Sequence, residues 1–154
     1  MFYRCFRYWT PLLLWMGIIF WMSTETFSSQ NTSLIIEPII RYLMPSITPE
    51  KVKVIHGAIR KLAHPTEYFV LGMLLFRAFR NGSKEPRIRR WAFYSVLFVA
   101  LYAACDEFHQ YFVSARTASL LDIGLDTLGG IVAQGVSALW LISRQRRLND
   151  GFRC

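Results

Sequence analysis

Long apolar runs separated by short polar ones set the reading of this chain. The first run opens at Trp9 and continues through Leu12, Leu13, Leu14, Trp15, Met16, Ile18, Ile19 and Phe20. It predicts a membrane-spanning helix over about 9–27, near the lower limit of ~17 residues for a bilayer crossing. From Ser28 to Lys53 the chain turns polar and mixed, with an apolar patch between Leu34 and Leu43 that Pro38 and Pro45 break. That pattern suits a loop with a short interfacial helix. A second span is expected over about 56–79, its apolar body running from Tyr68 to Phe76, with Pro65 tolerable only in a first turn or a kink. A basic turn with Asn81-Gly82 and Pro86 as breakers separates it from a third span over about 91–109. After a polar stretch a fourth span covers about 119–142 and ends in Arg144, Arg146 and Arg147. The expected fold is an all-α, integral membrane four-helix bundle forming one domain over 1–154.

Composition agrees with lipid as the solvent. Of 154 residues, 53% are hydrophobic and 16% aromatic, more apolar than an ordinary soluble domain of this size. The net charge of +8 does not argue for nucleic acid, because the basic residues sit in short clusters between apolar runs instead of forming one stripe. Cys5, Cys105 and Cys154 are odd in number and lack CxxC spacing, so neither a disulfide framework nor a thiolate zinc site is indicated. Arg4 and Arg7 ahead of the first run mimic a signal peptide, but bulky Trp21, Met22 and Phe27 stand where a small-x-small cleavage site belongs. The first span is therefore expected to stay in place.

Charge also orients the spans. Twelve of the eighteen Lys and Arg fall on the side that holds the amino terminus, the 77–90 turn and the carboxyl tail. By the positive-inside rule both termini are cytoplasmic and the 28–60 and 106–118 segments face out, the former carrying the short interfacial segment between the first two spans.

This topology gathers ionisable residues that no single motif joins. Arg60, Lys61, His64 and Glu67 open the second span; Asp106, Glu107, His109 and Gln110 close the third; Arg116 follows, and Asp122 and Asp126 open the fourth. All fall at one membrane face, as a site would. Spacings of three or four put His64 with Glu67, Asp122 with Asp126, and Gln110 with Asp106 or Glu107 on shared helix faces. If the fourth span enters hydrocarbon at Leu120, Asp126 lies about 9 Å inside at ~1.5 Å per residue. A carboxylate there needs a partner, a proton or water. Arg60, Lys61, His64 and Arg116 are the cations on offer, while Gly129, Gly130 and Gly135 suit close helix packing.

The segments "RKLAHPTEYFVLGMLL" (60–75) and "DEFHQYFVSARTASLLDIGLDTLGG" (106–130) resemble the VanZ-like family of small bacterial membrane proteins, named for an accessory protein of glycopeptide (teicoplanin) resistance. The resemblance covers the whole four-span body. Residue by residue it falls on Lys61, His64, Glu67 and Tyr68, on Glu107, Gln110 and Arg116, and on Asp122, Asp126 and Gly129. Two departures stand out: Pro65 replaces an aromatic, and "VSAR" (113–116) replaces a Val-Pro-Gly-Arg turn, which alters how His64 and Arg116 are presented. The resemblance implies a place in a bacterial plasma membrane and a link to the cell envelope and to glycopeptide susceptibility.

Three functions fit these residues. One is an enzyme acting at the outer leaflet on a phosphorylated lipid or lipid-linked precursor, with Arg116, Lys61 and Gln110 binding substrate. His64, Glu67, Glu107, Asp122 and Asp126 would then be the catalytic candidates, with or without a divalent metal, for which no HExxH-type spacing exists. Another is a non-catalytic module binding headgroups or a cell-wall precursor. The third is a proton-coupled carrier using Asp126 and Glu67, which with four spans per chain calls for a homodimer. Membrane lipids are the expected partners in each.

Overall fold

The computed structural model describes residues 2–83, 87–112 and 119–150. They form five α-helices: α1 (Phe2–Met22), α2 (Ser29–Leu43), α3 (Pro49–Arg80), α4 (Ile88–Tyr111) and α5 (Leu120–Asp150). The all-helical expectation holds, but several boundaries differ. The helix α1 stops at Met22, and a single tight turn at Glu25–Phe27 follows. Pro38 does not break α2, because a proline inside a helix removes only one backbone bond when the flanking turns hold; the helix ends instead at Leu43, with Met44 as its cap just ahead of Pro45. The helix α3 starts at Pro49, well before the expected position. Thr48-Pro49-Glu50 marks this start: an extended residue, a proline whose missing N–H would be unbonded in a first turn anyway, and an acid at the positive end of the helix. At its other end α3 closes at Asn81, which with Gly82 adopts positive φ (45° and 71°), as the breaker pair suggested.

The longest helix, α3, packs against α1, α2, α4 and α5, with its contact to α5 the most extensive. Period-3.6 apolar faces build the core: Leu12 and Ile19 from α1, Tyr68, Leu71, Leu75 and Ala78 from α3, Val99 and Ala103 from α4. A smaller cluster of Phe76, Trp91 and Leu141 closes the end nearer the amino terminus. By contrast α5 joins through small residues. A Cβ on Gly129 would overlap the Pro65 carbonyl, one on Gly130 would press on the Val99 side chain, and one on Gly72 would meet Ala133, Gln134 and the Gly130 backbone. Gly129 and Gly130 thus serve the close packing expected of them, whereas Gly135 faces open space.

Side chains bonded to backbone carbonyls reinforce these contacts: Trp15 Nε1 donates to Glu67 O (3.0 Å), the Tyr102 hydroxyl to Met16 O (2.7 Å), and Gln134 Nε2 to Gly72 O (3.1 Å). Outside, the helices carry large apolar side chains such as Leu13, Phe93, Leu101, Leu128 and Leu139. Two helices, Ile88–Tyr111 and the Leu120–Arg147 part of α5, are long and apolar enough to cross a membrane. The apolar stretches that qualify them are 33% and 39% buried within the protein, so most of that surface must meet something other than the chain itself.

Gly129→Ala is expected to lower stability by about 2–3 kcal/mol, since a Cβ there strikes backbone that no rotamer change can move. Gly135→Ala should stay within about 0.5 kcal/mol of the parent. Thermal unfolding in detergent compares them, and equal effects would contradict the α3–α5 contact described.

Candidate functional site

Inward-facing positions change character along the helices. On α4 the buried side runs Trp91, Ser95, Val99, Ala103 and then Asp106, Glu107 and Gln110. On α5 the buried positions run Asp126, Ala133, Gln134, Ser137 and Leu141, so the acid stands at the end where α5 begins. On α3 the same end carries His64 and Glu67, with the fully buried Tyr68 next inward. The interior therefore passes from apolar and small at one end to ionisable at the other.

A cavity of about 310 Å³ lies at the ionisable end, between α1, α2, α3 and α4. Ile19, Met22, Phe27, Ile35, Ile36 and Ile59 make an apolar wall; Arg60, His64, Glu67 and Asp106 make the polar part of the lining. The first residues of α2 form its cover. Arg60 Nη1 donates to Phe27 O and to Thr32 Oγ1, both at 2.9 Å, while Thr32 Oγ1 donates to Ser28 O at 2.8 Å and meets His56 Nε2 at 3.2 Å. Arg60 thus ties the turn after α1 and the start of α2 to α3. His109 sits to one side, its Nδ1 3.4 Å from Ser23 Oγ and its ring against Phe20.

Behind the cavity the acids pack closely. Gln110 Nε2 donates to Asp106 Oδ2 at 2.9 Å, the i,i+4 pairing that the spacing allowed. Glu107 Oε2 accepts from the Ser119 N–H at 2.8 Å, a carboxylate holding the backbone that leads into α5. Asp126 is 1% exposed, and among the described residues its Oδ1 has no hydrogen-bond partner. Its charged neighbours are Asp106, Glu107, Asp122 and Glu67, and the Tyr68 hydroxyl has Asp106 and Asp126 as its own. So dense a set of carboxylates in a low-dielectric interior requires counter-charge or protons distributed among its members.

Of the residues singled out from the sequence, His64 and Glu67 line the cavity, and Glu107, Gln110 and Asp126 lie buried behind it, with Asp122 half-buried at the start of α5. Lys61 is exposed and is not part of the lining; Arg60, one position earlier on the helix, occupies the inward side. Arg116 lies outside the described residues. Asp106 proves central, bonded to Gln110 and facing the cavity, and its i,i+4 spacing to Gln110 was the available signal. Thr32, His56 and Ser23 had none, since the contacts they make are between segments far apart in sequence. Among the described residues no three His, Cys, Asp or Glu side chains stand together as a metal site.

A family model described as VanZ/LLP1 matches residues 8–141, which takes in the cavity, the acid cluster and both apolar helices. No curated protein and no solved structure matches the chain.

Thr32→Val removes the hydroxyl that Arg60 and His56 share while keeping side-chain volume. It is expected to loosen α2 by about 1–2 kcal/mol. Hydrogen exchange should quicken across 29–43 and stay unchanged in α4; unchanged exchange in both would mean that this bond does not hold the cover.

Proposed function

The chain belongs to the VanZ/LLP1 family of membrane proteins, and from that premise we propose that it is a four-span protein of the bacterial plasma membrane that holds the headgroup of a phosphorylated lipid or lipid-linked envelope precursor at its outer face. In this reading α1 and α3 cross the membrane beside α4 and α5, both termini lie in the cytoplasm, and α2 rests in the outer interface. The distribution of Lys and Arg supports that orientation. The outward-turned apolar side of α2, where Leu34, Tyr42 and Leu43 are exposed, suits a helix resting in an interface.

One observation carries the proposal: a single cavity joins an apolar wall to a floor of Arg60, His64, Glu67 and Asp106. An amphiphile matches both halves. Its hydrocarbon would lie along Ile19, Ile35 and Ile59, and its phosphate would meet the Arg60 side. His64 and Glu67, three apart on one helix, supply a donor and an acceptor for moving a proton at the headgroup. A site that alters such a lipid, or withholds it, at the outer leaflet would change the targets that a glycopeptide meets, which is how a teicoplanin link would arise.

Two measurements test this. With Cys5, Cys105 and Cys154 replaced, Ser46→Cys should react with a membrane-impermeant maleimide in intact cells, and Ser83→Cys only after permeabilisation; the reverse pattern removes the proposed topology. In nanodiscs, undecaprenyl phosphate should bind, Glu67→Gln should weaken binding or phosphate release at least tenfold, about 1.4 kcal/mol, and His64→Asn should abolish release. Binding with no release in any form leaves a headgroup-binding module. Binding and release unaffected by both substitutions would discard the cavity as the site.

A further inference from the structure

We propose that a second groove, at the opposite end of the molecule, binds the phosphate of an anionic phospholipid. It lies between α1, α3 and α5 and encloses about 560 Å³. Four guanidinium groups line it: Arg7 from α1, Arg77 and Arg80 from the last turn of α3, and Arg144 from α5. Among the described residues no carboxylate lines it. Along α3 its Arg77 and Arg80 stand roughly 20 to 24 Å from His64 at ~1.5 Å per residue, and it shares no lining residue with the cavity described above.

Three features make this a site for an anion with a hydrocarbon tail. The first is charge. Four like charges drawn from three helices repel one another, and an anion seated among them relieves that repulsion. A phosphate accepts N–H bonds from several guanidiniums at once, often two from each. The second is orientation of the cations. Arg77 lies over the Tyr8 ring and Arg144 over the Trp140 ring, each with 5.4 Å from Cζ to the ring centroid, and Arg80 Nε donates to Ser83 O at 3.1 Å. Stacked on one face, a guanidinium keeps its N–H edge free for an in-plane acceptor. Ordering long side chains costs entropy, and here that cost is met before a ligand arrives.

The third feature is the trough that continues from the arginines. Met73, Phe76, Val136 and Leu141 line it, an apolar floor that inorganic phosphate has no use for and that an acyl chain would cover. In the proposed topology the groove opens at the cytoplasmic leaflet, where anionic lipids and basic pockets between helices meet. The occupant is therefore an anionic phospholipid.

The test uses the full-length protein in phosphatidylcholine nanodiscs. Native mass spectrometry after detergent release measures retention of added phosphatidylglycerol, of phosphatidylcholine and of inorganic phosphate. Phosphatidylglycerol should be retained at least tenfold more strongly than phosphatidylcholine. Arg77→Gln with Arg144→Gln should remove most of that preference, and Arg77→Lys with Arg144→Lys should restore part of it. Should the double Gln protein fail to fold, Arg7→Gln, at an exposed position, is expected to lower the preference severalfold by itself. Equal retention of both lipids, or an undiminished preference in folded Gln variants, would overturn the proposal. Displacement of phosphatidylglycerol by millimolar phosphate would instead identify a free-anion site and overturn the lipid assignment. Glu67→Gln should leave retention at this groove unchanged, which keeps the result independent of the outer cavity.

Discussion

The close approach of α3 and α5 governs everything else in this protein. Were both helices in lipid, as proposed, the hydrophobic effect would supply little attraction between them and association would depend on how near the two backbones can come. Gly129 against the Pro65 carbonyl, and Gly130 against Gly72, bring them to contact. Pro65 has a part in this beyond its tendency to bend a helix. Its carbonyl is the surface on which Gly129 rests, and a larger residue at 129 would have to displace backbone. One turn from that contact, α5 presents Asp126 to the interior beside Tyr68 and Asp106. The acid is buried because the glycines next to it are.

From that contact the two ends of the molecule diverge. Toward the amino-terminal end the interior is filled by Leu71, Leu75, Ala78 and the Phe76–Trp91–Leu141 cluster, and the charges lie around it as arginines. Toward the other end the inward faces carry Asp106, Glu107, Gln110 and Asp126, and the interior opens into a cavity instead of closing. Three donors inside the core are satisfied in one way, each directed at a backbone carbonyl of a neighbouring helix: Trp15 to α3, Tyr102 to α1, Gln134 to α3. Each of these bonds fixes helix register at a place where apolar packing alone would permit sliding. Carboxylates cannot use that device, having no proton to give, and so they collect where Gln110 and the Ser119 N–H can reach them.

Much of this was legible in the chain. Apolar runs gave α4 and α5, the Asn81-Gly82 pair gave the end of α3, and spacings of three and four gave the Asp106–Gln110 bond and the shared face of His64 and Glu67. What escaped has physical causes. A run of mixed polarity ahead of an apolar body hides where a helix begins, so α3 was cut short although Thr48-Pro49-Glu50 marked its first turn. Pro38 looked like a stop because local rules weigh the lost bond and not the rest of the helix. Adjacent cations at 60 and 61 point about 100° apart on a helix, and without knowing where α2 would lie no argument could decide that Arg60 faces in and Lys61 out. Cover and cavity arise from contacts such as Arg60 to Phe27, between segments that periodicity cannot relate.

The way α2 is held bears on what the cavity can do. Leu34, Ile35, Ile39, Tyr42 and Leu43 are exposed, and Ile40 is its one buried residue, so little apolar area secures the helix to the bundle. Its tie is polar: the Arg60 guanidinium, the Thr32 hydroxyl and the His56 ring, assembled at the first turn. A cover attached at one end by hydrogen bonds, with its apolar side turned away, has less resistance to lifting than one sealed by a core. In the proposed topology that apolar side lies in the interface, where an amphiphile's chain also resides. Access to His64 and Glu67 would then be lateral, beneath α2 from the lipid, and not from the aqueous side. That route would favour a ligand already dissolved in the membrane over a soluble one of the same charge, because the Ile35 and Ile59 wall lies along the way in.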